Sequence, residues 1–495
     1  MTTERNPMPV RTPEAAGIPS GAIDRYIQRL TDARLLMHDV LIARNGALVY
    51  EAYWKPIDEH FRHREYSCSK SFVSAAVGLL IENGKLHLED RCVDFFADIA
   101  PEDAHPWLKE MTIRDCLRMA TCYEAGASYR PTDPDWARTF FTAEVSHKPG
   151  QVYAYCTTAT TMLCMIIQRA CGQEFMSVLR PVFDEIGISQ DAFCVETPCG
   201  HEWGGSGVCL TAREFLKFAD LCTHYGVYHG KSLLPEAYMR EATARQIDNG
   251  AFHAHADADE GYGYQFWPMR NGGFAMHGMG GQFALCLPDK SLTLITNAYD
   301  ELNAHALCTI FDAFWEEIYP CLSPAPLPEE PAAHAQLTAR TNRLSIPTPP
   351  GAPHAAMESA ISGKTYKMAQ NRLGIQRLRF DFTGDGGTLT YENASGVHEL
   401  PFGAGRYHRG PFPETEYYGR RIGTPCHRGY DSLTAVAWRL PNELMLYTQI
   451  IDIHLANLRI AFAFEGDSVT LNARKHAEWF LNDYEGFASG TTQPT

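Results

Sequence analysis

Two β-rich runs, Val40–Ala43 and Ala47–Trp54, flank Asn45-Gly46, a dipeptide that favours a type I′ turn, so the chain predicts a hairpin there. Phe72–Asn83 follows with apolar residues at helical spacing and stops at Gly84. From Asp103 to about Tyr238 the pattern is helical, broken by Gly/Pro loops, with Thr160–Ala170 and Ala212–Tyr225 as its clearest helices. Alternation at period two then predicts strands at Tyr262–Met269, Gln282–Leu287 and Leu292–Asn297, before a helix at Leu302–Ile318. Strands at both ends of a helical middle imply an α/β (α+β) domain. Its expected form is one antiparallel sheet with flanking helices and an all-helical insertion.

The pattern changes beyond residue 320. Nine prolines lie between Pro320 and Pro353, around an Ala-rich helical piece at Ala332–Arg340. That composition reads as a linker. Short alternating strands follow (RLRFDF, TLTYE, LTAVAWRL, ELMLYTQII, LRIAFAFE, SVTLNA), separated by Gly-rich turns. They predict a small antiparallel β-barrel. The expected division is 1–320, a linker at 321–353, and a C-terminal domain at 354–495.

Composition narrows the partners. A formal net charge of −16 repels phosphate backbones, which argues against nucleic acid. No basic amphipathic run points to a membrane surface. Fifteen cysteines, an odd number without a C-x-x-C pair, read as small core residues in a reducing compartment. The N-terminus carries no apolar signal core, and the longest clean apolar stretch is about ten residues, too short to span a bilayer. The expected address is the cytoplasm.

The sharpest chemical feature is Ser67-Cys68-Ser69-Lys70, at the head of the Phe72–Asn83 helix. Spacing i, i+3 places Ser67 and Lys70 on one helical face, within reach of a hydroxyl-to-amine hydrogen bond. Ser67 would sit at the positive end of the helix, and a partly desolvated Lys70 has a lowered pKa and can take the serine proton. S-x-x-K alone is common. Its context is not: REYSCSKSFVSAAVGLLIENGKLHLED resembles the nucleophile region of the serine β-lactamase and penicillin-binding-protein superfamily, whose helix continues into G-K-L-x-L-x-D as here at Gly84–Asp90. It is most similar to the class C β-lactamase and esterase branch, 6-aminohexanoate-dimer hydrolases among them. The resemblance covers roughly residues 10–320.

Two further motifs follow in the family's order. Pro149-Gly150-Gln-Val-Tyr-Ala-Tyr155-Cys156-Thr157 resembles P-G-x-x-x-x-Y-x-N, and the spacing from the glycine selects Tyr155 over Tyr153. By that resemblance a Tyr155 phenolate beside Lys70 acts as general base towards Ser67 and later as acid to the leaving group. Thr157 replaces the family asparagine, which weighs against efficient β-lactam hydrolysis. Met276-His277-Gly278-Met279-Gly280-Gly281-Gln282 occupies the place of the K-T-G strand. With His277 in the middle position and Gly278 as the glycine, the Met279 amide joins that of Ser67 as the oxyanion hole; in the other register the donor is Gly280. The K-T-G lysine is absent in both. Gly204-Gly205-Ser206-Gly207 resembles a scaffold turn and helix cap, with His201 and Trp203 as candidate pocket residues.

His253-Ala-His255-Ala-Asp257-Ala-Asp259 looks superficially like a metal-ligand run, but Ala258 fills the place of a ligand, and a solvated loop is expected. Neither metal nor cofactor is expected. The resemblance implies a serine hydrolase that works through an acyl-enzyme on an amide or ester of a small or peptide-like substrate. A transacylase or thioesterase with the same residues, and an inactive binding protein, stay open. The barrel resembles lipocalin-like appendages; it either covers the active-site mouth or stabilises a homo-oligomer.

Overall fold

The structure, a computed structural model, describes residues 6–124, 126, 129–250, 260–300 and 306–492. The run His253–Asp259 lies outside the described residues. The chain divides into two compact units: Met1–Ile346 with Arg420–Gly423, and Pro347–Gly419 with Thr424–Thr495.

The first unit is built on a six-stranded antiparallel sheet. Its strands are β1 (Met37–Arg44), β2 (Ala47–Tyr53), β3 (Trp267–Pro268), β4 (Phe274–Gly278), β5 (Gln282–Leu287) and β6 (Leu292–Ala298), in the order β2-β1-β6-β5-β4-β3. Asn45 and Gly46 both have positive φ, 52° and 69°, as the type I′ turn between β1 and β2 requires. Every residue of β1, β5 and β6 is buried, so both faces of the sheet are covered.

Helix α1 (Ser20–Asp32) precedes the sheet and α2 (Ser69–Glu82) enters the helical middle, with α3 (Thr157–Cys171), α4 (Phe175–Ile186) and α5 (Ala212–Thr223) behind it. Helix α5 lies on β1, β5 and β6, whereas α2 packs against α3 and α4. Of α2, Ser69–Gly78 are all buried, the mark of a helix at the centre of a domain rather than on its surface. Helix α6 (Ala306–Ala313) and helix α7 (Pro331–Thr341) pack against α1. The proline-rich stretch therefore carries a docked helix: Arg340 Nε donates to Asp24 Oδ1 of α1 at 2.6 Å.

One expected strand is absent. Of Tyr262–Met269, Trp267–Pro268 pairs as a short strand and Tyr262 makes an isolated bridge to Ile247, because Gln265 turns the chain between them at φ 65°. Its buried amide accepts from Thr160 Oγ1 at 2.6 Å and donates to the Leu117 carbonyl at 2.7 Å. Those tertiary hydrogen bonds outweigh the local strand preference. Conversely, β4 is a full strand that the Gly-rich sequence does not announce.

The second unit is the antiparallel barrel. Strands β7 (Thr365–Met368), β8 (Arg377–Thr383), β9 (Gly386–Asn393), β10 (Gly396–Ala404), β11 (His408–Phe412), β12 (Tyr430–Leu440), β13 (Glu443–Ile450), β14 (Ala456–Glu465), β15 (Ser468–His476) and β16 (Gly486–Thr492) form one sheet. The order is β10-β9-β8-β7-β16-β15-β14-β13-β12-β11. A parallel pairing of Gly403 with Ala435 and Ala404 with Val436 joins β10 to β12 and closes nine strands, leaving β11 outside. Phe380, Leu400, Leu458, Phe462 and Leu471 fill the interior. The void they leave has a volume of about 20 Å³, roughly one water. No described helix in either unit is long and apolar enough to cross a membrane.

Candidate functional site

The nucleophile candidate stands on a strained turn. Tyr66–Cys68 forms a single 3₁₀ turn and α2 starts only at Ser69, so Ser67 precedes the helix instead of belonging to it. Tyr66 holds φ at 44°, a left-handed value costly for a bulky residue. Its ring is pinned by stacking on Tyr299 at 6.0 Å and by the Arg64 guanidinium 4.4 Å above it. A three-stranded sheet, Arg62–Arg64 beside Val208–Thr211 beside Phe193–Cys194, anchors the two ends of the turn. Glu65 N–H donates to the Val208 carbonyl at 2.8 Å, and Val208 N–H donates to Ser69 Oγ at 3.0 Å.

Lys70 is 1 % exposed. Its Nζ donates to Ser67 Oγ at 2.9 Å and to the Gly205 carbonyl at 2.5 Å, and lies 5.1 Å from the centre of the Tyr155 ring. Among the described residues no carboxylate bonds it. Burial therefore disfavours the ammonium and brings its pKa down to about 7. Only glycine fits at 205: a Cβ there would lie 2.9 Å from Thr157 Cγ2 and 3.1 Å from Trp203 Nε1. The 204–207 turn, read from sequence as scaffold, thus supplies the carbonyl that holds the lysine.

Tyr155 reaches the same hydroxyl from the segment before α3, which hangs on Met119–Ala120 through Gly150 N–H to Ala120 O at 2.7 Å and Ala154 N–H to Met119 O at 2.8 Å. Its phenol lies near enough to Ser67 for that hydroxyl to act on its proton affinity. The side chain is 38 % exposed, yet desolvation raises its pKa, and the Ser67 hydroxyl only partly opposes that. Tyr155 therefore keeps its proton at neutral pH, and the free base of the trio is Lys70. Thr157 opens α3, half-buried beside Gly205.

The third motif makes the β4–β5 hairpin. Gly278 pairs with Gln282, and Met279-Gly280-Gly281 form its three-residue turn. A Cβ on Gly278 would lie 2.5 Å from the Glu65 carbonyl, so this glycine is what lets β4 press against the nucleophile turn. All three turn carbonyls are tied down: Met279 O accepts from Gln282 Nε2, Gly280 O from Asp300 N–H at 3.1 Å, and Gly281 O from Thr296 Oγ1 at 2.9 Å. Gln282 Oε1 in turn accepts from Ala298 N–H at 3.0 Å. Cys68 Sγ donates to the Gln282 carbonyl at 3.1 Å and stitches the two turns together. His277 sits on β4 between Trp267 and Phe283, 5.7 and 4.6 Å between ring centres. Of the other candidates, Trp203 is buried under Tyr129 and Trp136, while His201 Nδ1 is engaged by Glu174 Oε1 at 2.9 Å.

Behind the turn lies a polar cluster that the sequence does not announce. His38, Asp39, His63, Glu65 and Asn297 are all fully buried. Asn297 Nδ2 donates to both Asp39 oxygens at 3.1 and 3.2 Å, and His63 Nε2 lies 3.5 Å from Asp39 Oδ2. Neither carboxyl oxygen of Glu65 has a hydrogen-bond partner among the described residues. Burial, then the nearby Asp39, raises the Glu65 pKa well above the usual carboxylate range; burial does the same to Asp39 and lowers both histidines. For all four, burial favours the neutral form.

The beta-lactamase family profile matches residues 23–299, more than half of the chain. The chain is 20 % identical over 297 residues to a 6-aminohexanoate-dimer hydrolase from Paenarthrobacter ureafaciens, covering 54 % of this chain and 76 % of that one. Among solved structures it is similar to a putative 6-aminohexanoate-dimer hydrolase from Bacillus anthracis, with a TM-score of 0.50, 19 % identity, and 63 % and 88 % of the two chains covered. A penicillin-binding-protein homologue from Pyrococcus abyssi, described as octameric, gives a TM-score of 0.48 at 13 % identity, covering 94 % and 98 %.

Proposed function

This chain belongs to the beta-lactamase family, and from that premise we propose that it is a serine hydrolase cleaving an amide or ester bond through an acyl-enzyme. The observation that carries the reading is the Ser67 hydroxyl held at 2.9 Å by a buried Lys70, whose amine lies 5.1 Å from the centre of the Tyr155 ring. Hydrolases among the relatives, the 6-aminohexanoate-dimer enzyme included, support the same reaction class.

In the proposed reaction the free-base Lys70 amine takes the Ser67 proton as Oγ bonds to the substrate carbonyl carbon. The oxyanion is held by the amide of Ser67 together with that of Met279, in the register that takes Gly278 as the family's glycine, or of Gly280 in the other register. Tyr155 gives its proton to the departing amine or alkoxide and recovers one from the Lys70 ammonium. Water then repeats the sequence: it loses a proton to the Lys70–Tyr155 pair, attacks the acyl carbon, and Ser67 leaves with the proton restored. This places the tyrosine as acid in acylation and the lysine as base, the division their opposite pKa shifts support.

Intact mass after incubation with a fluorophosphonate and, separately, a penicillin tests the reading on wild type and Ser67→Ala. A single adduct on wild type alone is expected from the fluorophosphonate, and the penicillin lane reports whether a β-lactam acylates. A folded wild type that takes no adduct sinks the enzyme reading in favour of a binding protein on this fold.

A further inference from the structure

Five large apolar or aromatic residues of the first unit are exposed among the described residues: Val10, Trp107, Tyr129, Val152 and Tyr155. Three of them fall between residues 129 and 155, the stretch that delivers Tyr155 to Ser67. Scattered exposed apolar residues mean little, but a group of them beside a reactive centre marks a recognition surface.

The rings form two walls. On one side Tyr129, 39 % exposed, is backed by Trp136 and Trp203, with ring centres 6.1 and 6.3 Å away. Trp203 in turn touches Gly205, whose carbonyl holds Lys70. On the other side Tyr155 stacks on Trp267 at 6.0 Å and 27°, with Tyr262 edge-on to both. Both walls reach Lys70, one through Trp203 beside Gly205 and the other through the Tyr155 ring, whose centre is 5.1 Å from the amine.

Two of the described cations at this centre are already engaged. Lys70 is committed to Ser67 and Gly205. Arg64 is buried, its Nε donating to the Ser206 carbonyl at 2.7 Å, and is sandwiched between Tyr66 and Trp203. On β4, Met276 or His277 stands where a carboxylate-binding lysine would be needed. Aromatic faces of this kind bind flat or extended apolar groups through offset and edge contacts, and they give a carboxylate nothing in exchange for its water.

We propose that the group recognised on the substrate is an uncharged aromatic or long apolar one, seated between Tyr129 and the Tyr155–Trp267 pair. The proposal rests on the serine-hydrolase reading above. It names a substrate class, neutral aryl or alkyl esters and amides, and Tyr129 as a specificity-determining residue.

The test is steady-state hydrolysis by the full chain of p-nitrophenyl acetate, phenylacetate and hemisuccinate, which share one leaving group. Phenylacetate should exceed the carboxylate-bearing hemisuccinate by about tenfold or more in kcat/KM, the scale on which a fitted apolar pocket discriminates. Tyr129→Ala should cut the phenylacetate-to-acetate ratio by about fivefold, mainly through KM, and Tyr129→Phe should keep it. Tyr129 is exposed, so neither variant endangers the fold. Hemisuccinate turned over as well as phenylacetate overturns the proposal and turns attention to Arg130, the exposed cation next in sequence. A ratio unmoved by Tyr129→Ala also overturns it. Both results leave the hydrolase reading standing. Turnover no greater than that of Ser67→Ala on every ester overturns the two together.

Discussion

The floor of the site and the inside of the barrel are equally well buried and chemically opposite. In the barrel the core is mostly Leu, Phe, Tyr, Val and Ala, and several of its buried polar tips are paired: Tyr391 with Tyr484 hydroxyl to hydroxyl at 2.6 Å, Tyr430 to Glu414 at 2.8 Å, and Trp438 Nε1 to Glu358 at 2.9 Å. Around Ser67 the protein buries a lysine, two carboxyls and two imidazoles, and leaves the Glu65 carboxyl without a hydrogen bond among the described residues. One interior lowers the free energy of folding, and the other raises it. Burial of ionisable groups at net cost is how a fold prepares shifted proton affinities, so the difference separates the scaffold from the chemistry.

Replacing Lys70 should therefore move activity and stability in opposite directions. Lys70→Met is expected to lower kcat/KM by about 10²–10⁴-fold, the loss that follows removal of a positioned proton acceptor. The same variant should unfold at higher denaturant, by about 1–3 kcal/mol near pH 7.5, since a group whose pKa is brought from 10.5 to about 7 is deprotonated at a cost when the chain folds. Between about 7 and 10.5 the unfolded chain holds a proton there that the folded chain does not. Stability contributed by this site thus rises with pH across that window and is lost as pH falls through about 7; Lys70→Met removes that slope. Equal or lower stability of the variant would mean that the hydrogen bonds to Ser67 and Gly205 outweigh the cost of burial.

The barrel should answer with the other sign. Phe462 is fully buried and meets Phe380 edge-on at 5.0 Å between ring centres. With so little void nearby, Phe462→Ala leaves a cavity the surroundings cannot close, and about 3–5 kcal/mol should be lost in denaturant unfolding. A loss below about 1 kcal/mol would show that the interior is looser than its packing implies.

The proton affinities also predict a rate profile. If the Lys70 free base is the acceptor, kcat/KM rises with pH and reaches a plateau above about 7, whereas a phenolate base with a raised pKa would leave the rate climbing well into the alkaline range. Full turnover at pH 5 would exclude the lysine from that role.

How much of this was legible follows from the range of each interaction. Ser67 and Lys70 are joined by local spacing, the hairpin at Asn45-Gly46 by backbone sterics, and the barrel strands by alternation, so single segments reveal them. Four parts depend on residues far apart in sequence. Gly205 O reaches Lys70 across 135 positions, and Gln282 secures its own hairpin turn through a buried amide whose only signal is one polar residue opening an apolar strand. The pair β7–β16 joins Tyr366 to Thr492. Tyr262–Met269 has the composition of a strand, but Gln265 is required by Thr160 and Leu117, and the backbone follows those partners. The apolar periodicity begins at Phe72, three residues after the helix does, because Ser69, Lys70 and Ser71 are polar. Their side chains are buried within the site.

The smallest effect tests the floor most directly. Glu65→Gln keeps the shape and removes only the ability to ionise, so kcat/KM should stay within about threefold if the carboxyl is neutral when the enzyme works. Stability should change in a defined window. The wild-type carboxyl holds its proton in the folded chain well above 4.5, where the unfolded chain has lost it, so each unit of pH above 4.5 costs the folded state. Asp39 contributes a slope of the same sign from 3.8 upward, and Lys70 only begins to act near 7. The difference between wild type and Glu65→Gln over pH 5–7 therefore isolates Glu65. The variant should gain relative stability steadily as pH rises, by about 1.4 kcal/mol per unit at most, the limit for one proton. A difference that stays flat with pH would mean that Glu65 is ionised in the folded protein, and that the space behind Ser67 holds a charge rather than a neutral acid.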